Sequence, residues 1–173
     1  MLERSSPLAQ CNPSPGLSQR SVTRLLQYHA WPDTYSAMAA TLAAHCGVPQ
    51  APAPSKAVTG LGGSLLRVHP QRLWLISDGA GPAIGVEVGA TLDVSHARTI
   101  IHVADDIATP LLSRFIAIDL RPHRFAIDDV ATTPLHRVSV VLWRRVDGID
   151  ILAPRSFARS IRDLLAETTA RLG

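Results

Sequence analysis

Residues 136–146 (HRVSVVLWRRV) are followed by Asp147-Gly148 and then by residues 149–153 (IDILA). Two strand-length apolar runs around an Asp-Gly pair predict a β-hairpin, because both turn residues tolerate positive φ. Successive strand residues point to opposite faces, so Val138, Val140 and Leu142 line one side and Val141 and Trp143 the other. Both sides of the sheet are therefore expected to be partly covered. The returning strand ends at Pro154 and passes directly into an amphipathic helix, with Phe157, Ile161, Leu164, Leu165 and Leu172 along one stripe. Almost any polar sequence would serve at such a junction; here it is Arg155-Ser156-Phe157.

Residues 21–30 (SVTRLLQYHA) read as a strand. Asp33 or Thr34 then caps a helix with Tyr35, Met38, Ala39, Leu42 and Cys46 on its apolar face and Gly47 as its stop. A proline-rich loop follows from Val48 to Thr59. Leu65–Val68 and Leu73–Ile76 form a hairpin around residues 69–72 (HPQR). A glycine-rich stretch runs from Ser77 to Ala90, and Thr91–Val103 supplies one or two strands. Asp105 or Asp106 caps a short helix bearing Ile107, Leu111, Leu112, Phe115 and Ile116. Pro110 is tolerated only near a first turn, which moves the expected start of that helix later. Asp119–Thr133 reads as a long irregular connection. The order is β-α-β-β, a linker, then β-α-β-β-α. It predicts an α+β fold of two fused ferredoxin-like lobes (β-α-β-β repeated), mostly antiparallel sheet with helices on one face. The expected organisation is a flexible arm over residues 1–20 and a domain over 21–173, with lobes near 21–90 and 91–173.

Composition narrows the function classes. At 173 residues, with 46% hydrophobic and 18% charged side chains, the chain can bury a core without metal or disulfide support. No apolar run approaches the roughly 20 residues that span a bilayer. The first 20 residues have no continuous apolar stretch, so no signal peptide is expected, and the location expected by default is cytoplasmic. Cys11 and Cys46 are expected to be reduced thiols. The formal charge of +3 comes almost wholly from arginine. The arginines are scattered and aromatics few, which disfavours nucleic acid and favours an acidic protein partner.

No catalytic constellation is legible. The seven histidines form no HxH or HxxxH pair. Residues 60–63 (GLGG) precede a strand rather than join a strand to a helix, and lack the Lys-Ser/Thr of a phosphate loop; they read as a flexible turn. Ser95 and His96 are adjacent in a strand, so they face opposite ways. Asp105-Asp106 and Asp128-Asp129 fit caps or loops better than paired acid-base groups. In residues 93–98 (DVSHAR), Asp93 and Ser95 share a face and can tie a strand entry to a loop, while Arg98 can reach a carboxylate. No catalytic, cofactor-binding or metal-binding residue is assigned.

Five motifs in order carry a resemblance: residues 31–34 (WPDT), 74–76 (WLI), 93–98 (DVSHAR), 119–123 (DLRPH) and 154–158 (PRSFA). Together they resemble the gamma subunit of heterotetrameric sarcosine oxidase, over roughly Ser21 to the end. Residues 93–96 are also similar to the DVSH of the glycine-cleavage T-protein, to whose folate domain that subunit is related; no position here matches its catalytic aspartate. The resemblance implies a non-catalytic accessory subunit of a complex that demethylates sarcosine oxidatively to glycine. It implies FAD, FMN, NAD and tetrahydrofolate in partner subunits and none in this chain, with larger flavin-containing subunits as partners. Interface candidates are Arg98, Arg155, Ser156, Phe157 and Arg159. Arg72 stands where the family usually has an acid, and Ser77–Ala90 is short. Alternatives are therefore a related N-methyl amino acid dehydrogenase as the parent, or a stand-alone protein that binds folate or transfers a one-carbon unit.

Overall fold

A computed structural model describes residues 6–9, 11–21 and 23–171. The chain divides into two compact units: residues 22–96 with 128–131, and residues 97–127 and 132–173 with the segment up to Ser21.

The first of these contains β2 (Arg24–Ala30), α1 (Tyr35–Cys46), β3 (Ala57–Gly60), β4 (Gly63–His69), β5 (Arg72–Ser77) and β6 (Gly89–Asp93). Its antiparallel sheet has the order β3-β4-β5-β2-β6. Helix α1 is alanine-rich, which favours helix, and it buries Met38, Ala39, Leu42, Ala43 and Cys46. These pack with Tyr28, Leu65 and Leu73 in one core. Gly47 ends the helix at φ 69°. Its N–H donates to the Ala44 carbonyl and that of Val48 to Ala43, the paired bonds of a Schellman termination. At the other end Thr34 sits at the cap position, but its single hydroxyl proton is directed at the carbonyls of Val88 and, at the longer distance, Trp31 rather than capping the helix.

Residues 60–63 form the β3–β4 turn, with Gly60 opposite Gly63. Gly60 and Gly62 are glycines because the turn presses on the end of α1. A Cβ at Gly60 or Gly62 would overlap the carbonyl oxygens of Cys46 or His45, and the Gly62 N–H donates to the Cys46 carbonyl.

The second unit contains β1 (Leu17–Arg20), β7 (Arg98–Ala104), α2 (Asp105–Leu112), β8 (Val130–Leu135), β9 (Val138–Arg145), β10 (Gly148–Pro154), a 3₁₀ turn (Arg155–Phe157) and α3 (Ala158–Ala170). Strand β8 begins at the two residues, Val130 and Ala131, that cluster with the other unit. The sheet order is β1-β7-β10-β9-β8. Ile151 pairs with Ile101 and Leu142 on one face, and Leu152 with Ile100 and Val141 on the other. All six are buried, so both faces are covered, as the alternation predicts.

The expected α+β architecture of two lobes in mostly antiparallel sheet stands, with more strands than expected. Each lobe runs β-α-β-β-β, because β3 lies in the predicted proline loop and β8 in the predicted irregular connection. Each lobe also gains one strand beside its first: β6 on β2 and β1 on β7. Strand β1 falls inside the predicted arm, where Leu17 pairs with Val103 and Arg20 with Ile100; residues 1–5 lie outside the described residues. Helix α2 starts at Asp105 with Pro110 inside it. Burial of Ala108, Leu111 and Leu112 outweighs the lost backbone bond, and Phe115 and Ile116 fall beyond the helix end. The β9–β10 turn is Val146-Asp147, since Gly148 pairs with Arg145. His136 lies in the β8–β9 turn at φ 57° rather than in a strand.

Candidate docking surface at the strand-to-helix junction

Pro154 at the end of β10 pairs with Arg98 at the start of β7. The Arg155 N–H then donates to the Ala97 carbonyl at 2.9 Å. This ladder brings Arg98 and Arg155, far apart in sequence, to one end of the sheet. The chain next makes a 3₁₀ turn whose Ser156 and Phe157 are exposed, the phenyl ring residue at 48%. In α3 the buried positions are Ala158, Ile161 and Leu165. Phe157 would share that stripe if the α-helix began with it. The tighter 3₁₀ winding, three residues per turn, carries it off the face instead. Leu164 is half-buried, and Leu172, the last residue of the expected stripe, lies outside the described residues. Arg159 projects into solvent with Asp163 one turn away, Nε to Oδ2 3.8 Å. Arg98 is half-buried, and that desolvation pushes its guanidinium below the ordinary arginine value. An exposed phenylalanine among arginines matches the residue types enriched at the centres of protein interfaces.

The Asp93–Ser95 pair is spent on the backbone. The Ser95 side chain and its N–H, the latter donating to Asp93 Oδ1 at 2.9 Å, together hold that carboxyl below the ordinary range, and the Leu25 N–H donates to Ser95 Oγ at 2.8 Å. The pair ties the end of β6 to the start of β2.

Two charged groups escaped the sequence reading. Asp150 is 1% exposed. Its Oδ1 accepts from Arg20 Nε at 2.8 Å and from His102 Nδ1 at 2.7 Å. Arg20 also donates to Asp147 Oδ2 at 2.5 Å. Arg20 Nη2 also lies 3.1 Å from His102 Nδ1, so this ring nitrogen sits between a donor-only guanidinium and the carboxylate. A carboxylate-oriented imidazole is one component of acid-base machinery. Here, however, the carboxylate is shared with a guanidinium from β1, two strands away, and the group works as a clamp joining β1, β7 and β10. The legible signal was Asp150 itself, a charge between Ile149 and Ile151 that must be paired if buried; its partner Arg20 lay in the presumed arm. The second group is Arg144, 3% exposed. It donates to the Phe125 and Leu120 carbonyls and to Asp105 Oδ1, so β9 holds both the irregular connection and the start of α2.

Among the described residues, no group of three or more His, Cys, Asp and Glu is placed to hold a metal ion. Cys11 and Cys46 are free thiols. No helix among the described residues is long and apolar enough to cross a membrane.

No family model matches the chain. Sarcosine oxidase subunit gamma from Corynebacterium sp. (strain U-96) is 31% identical over 74 residues, 43% of this chain and 36% of the relative. The same subunit from Corynebacterium sp. (strain P-1) matches equally, and that from Arthrobacter sp. is 29% identical over 75 residues, 37% of the relative. The matched segment thus spans little more than a third of these relatives' length. The likeness extends further in three dimensions. A chain of the heterotetrameric sarcosine oxidase from Corynebacterium sp. U-96, in complex with pyrrole 2-carboxylate, superposes with a TM-score of 0.82 at 25% identity, covering 97% of this chain and 95% of that one. The resemblance to the gamma subunit carried by the motifs is borne out.

Proposed function

We propose that this chain is the non-catalytic accessory subunit of a heterotetrameric sarcosine oxidase, a complex that demethylates sarcosine oxidatively to glycine. The observation that carries this reading is the end-to-end superposition on a chain of such an oxidase, together with relatives named as its gamma subunit. The chain seats against a larger flavin-containing subunit through the junction surface of Arg98, Arg155, Ser156, Phe157 and Arg159. FAD, FMN, NAD and tetrahydrofolate belong to the partner subunits, and the complex is cytoplasmic. A stable seat of this kind buries about 800 Å² on each side. The stand-alone folate-binding and one-carbon-transfer reading is not favoured, since Asp93 and Ser95 are consumed by the backbone. A related N-methyl amino acid dehydrogenase as parent is not favoured either. Co-expressing the four subunits with and without this chain tests the proposal: the assembled flavoenzyme is expected to fall apart or lose flavin without it. A stable, fully active enzyme in its absence rejects the idea.

A further inference from the structure

Helix α1 contains no Asp, Glu, Lys or Arg in its twelve residues (YSAMAATLAAHC). Its outward positions Ser36, Ala37, Ala40, Thr41 and Ala44 are exposed. A surface helix ordinarily turns a charged face to water; this one offers a smooth, uncharged face of small side chains. Opposite stands the proline-rich loop Val48–Ala53, and the groove between the two has a volume of about 560 Å³. Arg67, from β4, supplies the charge in its lining. The guanidinium stacks 4.1 Å above the Tyr35 ring and donates from one nitrogen to the Pro70 carbonyl. Among the described residues, its buried Nε and the buried Tyr35 hydroxyl have no hydrogen-bond partner, and no acidic side chain lines the groove.

We propose that this groove receives an extended, apolar segment of a partner polypeptide that carries a carboxylate. This rests on the reading of the chain as a docked subunit and adds a second, chemically specified contact to it. The carboxylate complements Arg67, whose planar fork suits that group. The wall from Ser36 to Ala44 rises about 12 Å, the reach of three or four residues of extended chain. Small side chains on the wall let a backbone approach closely. The uncharged face continues past the groove to Ala37 and Thr41, area that a polypeptide covers and a small carboxylic acid does not need.

The test uses the co-expressed complex with the wild-type chain, with Ala40→Glu and with Arg67→Gln, the fold of each variant being checked by its melting curve. Ala40 is exposed, so Glu is compatible with the fold, yet it places a negative charge in the groove that competes for Arg67 and repels the incoming carboxylate. Wild type is expected to assemble, and Ala40→Glu to weaken assembly by about 10-fold or more. Arg67→Gln should weaken it less and flatten its dependence on salt. If the wild-type chain itself does not assemble, the docking reading fails and the groove proposal falls with it. If wild type assembles and both variants match its affinity, the groove proposal alone is overturned. Native mass spectrometry that finds a small carboxylic acid held by the assembled wild-type subunit, and lost in Ala40→Glu, overturns it in favour of a small-molecule site.

Discussion

Asp150 is a buried carboxylate in the middle of an apolar strand, and its charge is met by Arg20 and His102 at Oδ1 and by Arg145 Nε 4.0 Å from Oδ2. Breaking a buried ion pair from one side costs about 3–5 kcal/mol, because the other charge is left unpaired in a low-dielectric site. Arg20 is about one-third exposed, and water can take over part of its role, so the loss should fall lower. Arg20→Met keeps most of the aliphatic stem and removes the charge; it is expected to cost about 2 kcal/mol, read as a shifted midpoint in urea unfolding. Adding Asp150→Asn to that variant should recover part of the loss, since the carboxylate left unpaired is then only the exposed Asp147. An Arg20→Met midpoint equal to wild type would mean that His102 and Arg145 suffice for Asp150. Sequence could flag Asp150 but not its partner, because Arg20 pairs with it from far away in the chain. Arg144 was hidden for the same reason, as its acceptors are backbone carbonyls in a stretch without periodicity.

Elements were legible in proportion to the number of neighbours they have. Strands β2, β4, β5, β9 and β10 lie inside their sheets, and their buried runs carry the apolar patterns that predicted them. Strands β3 and β8 are edges; their sequences, AVTG and VATTPL, are short, polar and in one case contain Pro134, which an edge tolerates. Strand β1, also an edge, hid among prolines. The junction surface was half legible: the stop at Pro154 marked it, while the exposure of Phe157 depends on a 3₁₀ turn that spacing does not reveal. The C-terminal end of helix α1 offers a test of why the glycines around it, Gly47 and Gly62, are there. Gly47 sits in the left-handed region with no atom within 4 Å of an added Cβ, so Gly47→Ala meets only backbone strain and should cost about 1 kcal/mol. Gly62→Ala would drive a methyl into the His45 carbonyl and should cost about 3 kcal/mol by forcing the β3–β4 turn off the helix end. Equal losses for the two, measured by thermal unfolding, would contradict the close-approach explanation.

At the scale of the whole chain, one topology occurs twice without residue-level repetition. β2-α1-β3-β4-β5 and β7-α2-β8-β9-β10 have the same strand order, and the strand just ahead of each repeat pairs in the other unit: β1 with β7, and β6 with β2. Equal topologies need not titrate alike. In the unit built on α1, burial pushes Tyr28 up to about 12 and raises Tyr35 and the Cys46 thiol as well. The Tyr28 hydroxyl is fully buried and donates to the Pro82 carbonyl. A group whose pKa is raised by folding contributes stability in full below its unfolded value, and that contribution is lost as pH rises toward the folded one. The unfolded values are 9.0 for Cys46 and 10.0 for the tyrosines, so this unit should weaken from about pH 9 upward. Tyr28→Phe removes the largest part of the titration. It should lower stability at neutral pH by about 1 kcal/mol through the lost hydrogen bond, yet make the fall between pH 10 and 12 shallower by about 2 kcal/mol. Hydrogen exchange of β2 and β5 amides across that range reads the effect in the correct unit. A variant whose alkaline fall runs parallel to wild type would show that Tyr28 ionises freely in the folded chain and that its hydroxyl is not sealed by this core.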